Sequence, residues 1–444
     1  MNLNQTQQIE VKHSGWEQVY QSRFVCADDA VKQIKSGDRV VLGHACAEPQ
    51  ALVNALLKRA HELRNVEIMH LLSVNAARYC RKEYRNSFRH NSLFVGSSIR
   101  EEVHAGAVDF TPCYFHEVPK LFRDGMMPVD AALITVSLPD EDGRVSLGIS
   151  VDYTKEAALC AGTVIAEVNP CMPHTGAGSC LRVEDIDMFV NSDAPLAEVP
   201  HPRVGDTELT IGRYASKLIA DGDCLQIGIG AIPEAVLSQL TDKNDLGVHT
   251  ELLTDSIMPL VDSGVITCSR KNFMPGKIIS NMAMGSQEFY SWLDRHPMVE
   301  FHPVDFTNDP FVIARNDNMV TINSALAIDL LGQVAADTIG PKQYSGVGGQ
   351  VDFVRGAARS KGGKNLITLP ATTKKGTVSR IVCTLEPGQA VTTSRHDVDY
   401  VATEYGLVQL KGRTLRQRSE ALVSIAAPQF RDQLREQCKE LYGW

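Results

Sequence analysis

The chain has 444 residues, of which 43% are hydrophobic and 22% charged, with a formal net charge of −9. It is too long for one ordinary core, so we expect a soluble protein of two or three domains. Without a basic surplus it is not expected to bind nucleic acid, and no apolar run approaches the roughly 18 residues of a membrane span. The polar N-terminus lacks the pattern of a signal peptide, so we predict a cytoplasmic protein that does not bind membranes.

Cysteine and histidine spacing argues against a metal site. The eleven cysteines are scattered and never spaced C-x-x-C, and the thirteen histidines form no H-x-x-x-H pattern. Free thiols in a reducing compartment are the favoured interpretation, and we predict no bound metal.

Short β-branched runs alternate with helical stretches along the chain. The predicted strands are residues 39–42, 66–69, 131–136, 163–168, 225–229, 246–250, 277–279, 319–322, 366–369 and 400–402. Helices are predicted near residues 50–63 and 154–161. This alternation predicts an α/β fold with mainly parallel sheets and right-handed crossovers.

A proline-containing stretch at 191–206 divides the strands into two series, so we place a domain boundary near residue 200. The predicted domains are 1–200 and 201–444. Residues 38–43 align with 223–228, and 49–56 with 233–240, each pair reading as strand, glycine turn and helix. Chance similarity is the alternative to duplication. Two related open α/β domains would have their active site in the cleft between them.

The first segment with chemical potential is residues 226–233, Gln-Ile-Gly-Ile-Gly-Ala-Ile-Pro. Gly228 and Gly230 follow a strand, where they let a ligand approach the backbone and the next helix N-terminus. A dinucleotide site is a weak alternative because Pro233 replaces the third glycine of that motif. A tight turn packed under the sheet is the other alternative.

Glu251 follows the predicted strand 246–250, at the sheet edge where open α/β proteins bind ligands. A carboxylate there can act as a base, a metal ligand or a nucleophile. The alternative is an acid that stabilises a helix start. His249 alternates with Glu251, although a lone histidine on such a strand is more often packed than catalytic.

The third segment is the glycine-rich run 344–353, which contains Gly346, Gly348 and Gly349. Such a run usually aims backbone N–H groups at a ligand or an oxyanion. Seven basic residues and no acid follow: Arg355, Arg359, Lys361, Lys364, Lys374, Lys375 and Arg380. This local charge suits a ligand with several phosphates, and a solvated basic face is the alternative.

Together these segments resemble the acetyl-CoA hydrolase/transferase family, and within it the 4-hydroxybutyrate and butyrate CoA-transferases. The ordered motifs GIGAIP, GVHTE and SGVGGQVDFVRGA carry the resemblance, with residues 47–50, 166–169 and 392–397. It covers nearly the whole chain from about Trp16. It implies an N-terminal and a C-terminal CoA-transferase domain of the class I type, with the nucleophile and the CoA-binding loops in the second.

The resemblance also implies roles for individual residues. Glu251 is the implied nucleophile, and Asn323 is implied near the thioester carbonyl. Contacts with coenzyme A are implied for Gln226, Gly228, Ile229, Gly230, Ala231, Ile232, Leu326, Gly346, Gly348, Gly349 and Lys374. The CoA thioester is then a substrate, with no permanently bound cofactor, and the expected assembly is a homodimer.

The implied reaction is a ping-pong exchange of CoA between an acyl-CoA and a small carboxylic acid, with acetyl-CoA as co-substrate and a glutamyl-CoA thioester as intermediate. An itaconate or succinate CoA-transferase, or an acyl-CoA hydrolase, is the alternative within the family. A non-catalytic CoA or nucleotide sensor is the alternative outside it. We expect the acyl pocket near His44, Glu48 and residues 172–174, while His44, His90, Arg78 or Arg89 could meet a second carboxylate.

Overall fold

The first half of the chain forms one α/β unit in the computed structural model, which describes residues 15–444. Its strands are β1 (Arg39–Leu42), β2 (Val66–Met69), β3 (Phe88–Ser92), β4 (Asp109–Phe110), β5 (Ala131–Val136), β6 (Arg144–Ser146), β7 (Thr163–Val168), β8 (Cys180–Arg182) and β9 (Met188–Asn191). Its helices are α1 (Gly15–Ser22), α2 (Ala27–Ala30), α3 (Gln50–Lys58), α4 (Arg100–His104), α5 (Val118–Arg123) and α6 (Thr154–Cys160).

The second half is longer and carries more short strands. Its main strands are β10 (Cys224–Ile227), β11 (Gly247–Val248), β12 (Leu252–Leu253), β13 (Ile278–Ser280), β14 (Met282–Ala283), β15 (Val299–Phe301), β16 (Met319–Ser324), β21 (Lys364–Thr368), β25 (Tyr400–Thr403) and β26 (Gly406–Gln409). Short strands lie between them: β17 (Ala327–Asp329), β18 (Val334–Ala335), β19 (Thr338–Ile339), β20 (Lys342–Gln343), β22 (Thr372–Thr373), β23 (Val378–Ser379) and β24 (Ile381–Val382). The helices are α7 (Asp206–Ser216), α8 (Ala231–Leu237), α9 (Met258–Asp262), α10 (Gln287–Leu293), α11 (Val304–Thr307), α12 (Pro310–Ile313), α13 (Gln350–Arg359), α14 (Leu415–Ser424) and α15 (Arg431–Tyr442).

The first sheet is parallel throughout, in the order β4-β3-β2-β1-β5-β7-β9. All six residues of β5 are buried, as expected for a central strand with both faces covered. Runs such as Ala-Ala-Leu-Ile-Thr-Val suit this position because β-branched and apolar side chains pack well on a covered sheet.

The second sheet repeats this strand order. Strand β10 lies between β11 and β16, and β21, β25 and the antiparallel β26 follow. A parallel bridge between His249 and Ile279 places β13 beside β11, and β15 pairs with β13. The order 15-13-11-10-16-21-25 therefore matches 4-3-2-1-5-7-9 strand for strand. This match supports the two related halves expected from the repeated sequence.

Backbone pairing joins the halves close to the carboxyl ends of their strands. Ser150 forms an antiparallel bridge with Met282. The N–H of Val151 donates to the carbonyl of Asn281 at 3.0 Å, and the N–H of Ala283 donates to Ile149 at 3.0 Å. One hydrophobic cluster continues from the first half into the second. The boundary near residue 200 stays a prediction.

Most predicted strands are present, and the fold class is confirmed. Strands β1, β2, β5 and β7 have the predicted bounds. Strand β11 is shorter than the predicted 246–250, because the residues on either side of it make only single bridges, Leu246 to Ile266 and His249 to Ile279. Strand β3 was not predicted, since Phe-Arg-His-Asn-Ser lacks an apolar pattern.

Candidate active site

The two sheets meet at their carboxyl-end edges, and a cavity of about 120 Å³ lies between them. From the second half, Gly228 follows β10, Glu251 follows β11, and Asn323 lies at the end of β16. From the first half, the cavity is lined by residues that follow β1, β2 and β3, namely His44, Leu71, Leu72 and Phe94. Ligands of open α/β folds bind at this edge, so the cavity is the candidate site.

Glu251 lies in this cavity with close polar neighbours. The side-chain amide of Asn308 donates to its Oε2 at 2.6 Å, and the backbone of Gly349 also hydrogen-bonds to its carboxyl group. Part of Glu251 stays accessible from the cavity, while protein atoms surround the rest. The carboxyl is therefore fixed in one orientation.

The surroundings of Glu251 disfavour its charged form. Burial raises the pKa of Glu251 to about 8, and the nearby charges of Asp352 and Asp152 add to this effect. The hydrogen bonds from Asn308 and Gly349 oppose it by stabilising the carboxylate. A buried acid with a shifted pKa in a cleft is typical of a functional site.

The glycine loop approaches Glu251 more closely than any side chain would allow. A Cβ atom at Gly349 would overlap the carboxyl group of Glu251 and the amide of Asn308. Gly348 has φ of +52°, which is costly for other residues. Helix α13 starts directly after Gly349, so the positive end of a ten-residue helix meets the carboxyl group.

Gln226 and Asn323 form a paired amide face on neighbouring strands. The Asn323 amide donates to Gln226 Oε1 at 3.1 Å, and the Gln226 amide lies 3.4 Å from Asn323 Oδ1. Both side chains line the cavity with Glu251. Donors held in this way can meet a carbonyl oxygen that gains negative charge.

Some of the predicted CoA contacts line this cavity, and others lie outside its lining. Gly228, Ile229, Gly348 and Gly349 line it with Gln226. The remaining residues are outside its lining: Gly230, Ala231 and Ile232 at the start of α8, Gly346 packed against Leu93 and Phe94, Leu326 between β16 and β17, and Lys374 in the exposed turn between β22 and β23. Their roles in binding coenzyme A stay predictions.

The basic segment that follows the glycine loop is partly neutralised within the protein. Arg355 lies 3.7 Å from Asp397, Lys361 lies 3.8 Å from Asp317, and Lys364 lies 3.4 Å from Asp223. Lys374 and Lys375 extend from an exposed turn. These two lysines are better candidates for a phosphate group than Arg355, Lys361 and Lys364, which already face acids.

The first half supplies one polar wall residue, His44. Its Nδ1 lies 3.1 Å from Oδ2 of Asp152, and its buried Nε2 has no hydrogen-bond partner among the described residues. His44 lines the same cavity as Glu251, which agrees with the acyl pocket expected near it. Glu48 instead accepts a hydrogen bond from Ser73 inside the first half. His174 lines a separate cavity of about 640 Å³, so the predicted pocket at 172–174 is wrong.

Three residues named as possible partners of a second carboxylate also lie elsewhere. Arg78 hydrogen-bonds to Asn54, and Arg89 pairs with Asp109 on the surface. His90 is buried, with Nδ1 at 3.2 Å from the Cys80 sulfur. Each is already engaged outside the cavity.

His249 is a packed residue, as its pattern suggested. Its Nε2 lies 2.7 Å from the carbonyl of Thr307, and its Nδ1 lies 3.2 Å from the amide of Asn316. Burial lowers the pKa of His249 to about 3. The ring is neutral and fully engaged, so it supports the strand that carries Glu251.

The sequence did not point to Asn308, Asp352 or His116, which form a chain of contacts leading to Glu251 in the structure. Asp352 lies in the motif GQVDFVRGA, in which the glycines and not the acid indicated a ligand-binding loop. Asn308 lies in Thr-Asn-Asp-Pro, which reads as an ordinary turn. An asparagine beside a proline turn carries no signal of its contact with a residue 57 positions away.

Comparison with known proteins agrees with this geometry. The model of the acetyl-CoA hydrolase/transferase N-terminal domain matches residues 1–200, and that of the C-terminal domain matches residues 285–438. The 4-hydroxybutyrate coenzyme A transferase of Clostridium kluyveri is 50% identical over 427 residues, covering 96% of this chain and 100% of that protein. The chain therefore belongs to the acetyl-CoA hydrolase/transferase family.

Two further relatives cover almost the whole chain. The succinyl-CoA:cyclohexane-1-carboxylate CoA transferase of Geobacter metallireducens is 42% identical over 428 residues, 96% of this chain and 97% of that protein. The crystal structure of a 4-hydroxybutyrate CoA-transferase from Porphyromonas gingivalis has a TM-score of 0.84 at 42% identity, covering 96% of this chain and 100% of that one. The predicted family and enzyme class are confirmed.

Two structural absences accompany these findings. Within residues 15–444, no helix is long and apolar enough to cross a bilayer. In the same part of the chain, no group of three or more histidine, cysteine or acidic side chains could hold a metal ion.

The raised pKa of Glu251 generates a stability prediction. Its folded-state pKa of about 8 exceeds the ordinary 4.5, so the protonated form stabilises the fold at low pH. This stability is lost as the pH rises between these values. We compare the free energy of unfolding of Glu251→Gln with that of the unchanged protein. We expect the difference to shift in favour of the variant by roughly 3 kcal/mol from about pH 5 to about pH 8 and then to level off. Chemical unfolding at a series of pH values measures it; a constant difference contradicts it.

Proposed function

We propose that the protein transfers coenzyme A between an acyl-CoA and a small carboxylic acid, with Glu251 as the covalent nucleophile. The observation that carries this proposal is a buried glutamate between two sheet edges, held by Asn308 and the Gly349 backbone. The family and its relatives support the same chemistry. A paired amide face and a helix N-terminus adjoin the carboxyl group.

The reaction proceeds in four acyl substitutions, and each one replaces the group attached to a carbonyl carbon. The carboxylate of Glu251 attacks the thioester carbonyl, the C–S bond breaks, and a mixed anhydride and CoA thiolate form. The thiolate attacks the glutamyl carbonyl and releases the first acid, which leaves a glutamyl-CoA thioester. A second acid attacks this thioester, which gives a new mixed anhydride and CoA thiolate. The thiolate then attacks the acyl carbonyl of this anhydride, which forms the new acyl-CoA and restores the Glu251 carboxylate. Each intermediate remains activated, so the thioester energy is kept.

Backbone N–H groups and side-chain amides stabilise the negative charge that develops during the reaction. Oxygen charge develops at each carbonyl attacked, and the Gly349 backbone with the Gln226–Asn323 pair offers donors near it. A carboxylate is a weak nucleophile, so binding energy from the remote part of coenzyme A contributes to the acceleration. The apolar walls limit water, which would convert transfer into hydrolysis.

The cavity favours a short, uncharged acyl chain. The cavity is small, with a volume of about 120 Å³. Among the described residues that line it, Leu71, Leu72, Phe94, Phe115, Met282 and Met284 are apolar and none is a lysine or an arginine. The free Nε2 of His44 offers one hydrogen bond to a hydroxyl group. A butyrate or hydroxybutyrate chain therefore suits the cavity better than itaconate or succinate.

Several finer expectations belong to this proposal. Acetyl-CoA as co-substrate, the glutamyl-CoA intermediate, a homodimer and a cytoplasmic location stay predictions. So do the CoA contacts of Lys374 and the loop at Gly346. Coenzyme A is treated as a substrate and not as a resident group.

Mass spectrometry after incubation with acyl-CoA alone tests the covalent role. We expect a CoA-sized adduct on the peptide that contains Glu251, because the thioester intermediate accumulates without an acceptor acid. Glu251→Gln should lose the adduct and at least about 1,000-fold in transfer rate, since the nucleophile is removed. Glu234→Gln, which changes an acid on α8 outside the cavity lining, is the matched control. Steady acid release without an adduct would indicate a hydrolase.

The transfer rate should follow the ionisation of Glu251. With a pKa of about 8, about one molecule in ten carries the carboxylate at pH 7. Only the carboxylate attacks, so single-turnover adduct formation should rise about tenfold per pH unit below this pKa and level off above it. A rate that falls as the pH rises would point to an acid role and contradict the nucleophile.

His44 should set the preference for a hydroxylated acyl chain. We expect His44→Leu to lower kcat/KM for 4-hydroxybutyryl-CoA about 10- to 100-fold more than for butyryl-CoA, since only the first loses a buried hydrogen bond. The ratio of the two values cancels general damage to the fold. An equal loss for both substrates would place the hydroxyl group elsewhere in the cavity.

A further inference from the structure

Asn308, at the end of α11, connects two buried carboxyl groups. Its amide donates to Glu251 Oε2 at 2.6 Å and lies 3.5 Å from Oδ2 of Asp352. Its carbonyl oxygen accepts a hydrogen bond from the amide of Asn281 at 2.9 Å, which fixes the orientation of the group. One amide therefore faces both Glu251 and a second acid that the reaction does not use.

His116, from the first half of the chain, holds that second acid. Its Nδ1 lies 2.7 Å from Asp352 Oδ1, and its backbone N–H donates to Oδ2 at 3.2 Å. The Asp352 side chain is 1% exposed and that of His116 23%. Burial alone would lower the pKa of His116, but the hydrogen bond and the charge of Asp352 outweigh it and raise this pKa.

The charges around this chain of contacts have a definite pattern. His116 faces the acids Asp352, Glu117 and Asp309. Glu251 faces Asp352 and Asp152. Asp152 has its own histidine, His44, at 3.1 Å. Burial raises the pKa of Asp352, and the contacts with His116 oppose this rise. While Asp352 is ionised, loss of a protonated His116 would leave its negative charge uncompensated beside Glu251, which disfavours a second carboxylate.

We propose that His116 is a positioning residue that acts on Glu251 through Asp352 and Asn308. By compensating Asp352, it reduces the negative charge that the Glu251 carboxylate meets across the shared Asn308 amide. His116 is outside the described lining of the cavity, so it acts through these residues and not by contact with substrate. This inference rests on the proposed role of Glu251 as the nucleophile.

The titration of Glu251 in His116→Gln, Asp352→Asn and the double variant tests the proposal. The infrared band of the protonated carboxyl group, identified by its loss in Glu251→Gln, reports this titration without any substrate. We expect His116→Gln to raise the midpoint by about one pH unit and Asp352→Asn to lower it by about one unit. In the Asp352→Asn background, His116→Gln should cause little further change, because its partner is gone.

The pH dependence of adduct formation is the second readout. Its acid limb should move with the midpoint, so His116→Gln loses about tenfold in rate at a fixed pH below the midpoint and recovers at higher pH. His302→Gln is the matched control: this histidine is 20% exposed, lies 3.6 Å from Glu300 and is not part of the cavity lining. It should shift neither readout.

The outcomes separate the two proposals. A uniform loss of rate in His116→Gln with an unchanged titration would make His116 merely structural and overturn the inference. Shifts of the same sign in His116→Gln and Asp352→Asn would also overturn it. Opposite infrared shifts combined with full transfer by Glu251→Gln would support the effect on Glu251 but refute its role as nucleophile. If His116→Gln does not fold, the downward shift in Asp352→Asn decides.

Discussion

The candidate site depends on a carboxyl group that is shielded from water and that, as the proposed nucleophile, has to ionise. Burial raises the pKa of Glu251 to about 8, whereas the Asn308 amide and the Gly349 backbone hold it lower than burial alone would. A fully hydrated glutamate would ionise freely but react weakly. A site open to solvent would also admit water. A fully buried one would stay protonated. The absence of a Cβ at Gly349 and the start of α13 at this point resolve this conflict, because they bring backbone donors against the carboxyl group.

Charge balance at this site is shared between the two halves. Glu251 and Asp352 come from the second half, and His116, His44 and Asp152 come from the first. Each acid beside Glu251 has a histidine partner, Asp152 with His44 and Asp352 with His116. The backbone pairing of Ser150 with Met282 holds the sheet edges at the separation these contacts need. The interface is therefore part of the electrostatics of the site.

The sequence predicted what depends on local pattern and missed what depends on packing. Strands β1, β2, β5 and β7 were found because apolar β-branched runs suit covered strands. Strand β3 was missed because its polar residues, such as His90, are satisfied only by tertiary contacts. Glu251 was found because it follows a strand and stands in a family motif. The partnership of His116 with Asp352 spans 236 residues and leaves no trace in either local sequence.

The shared cavity has a consequence for how such a protein can diverge. The Glu251 carboxyl, its amide partner Asn308 and the glycine loop all belong to one copy of the repeated fold. Five residues of the cavity wall, among them His44, Leu72 and Phe94, belong to the other. Mutations in the first half can therefore reshape the cavity while the half that carries Glu251 remains under separate selection. The two halves are modules that can evolve at different rates.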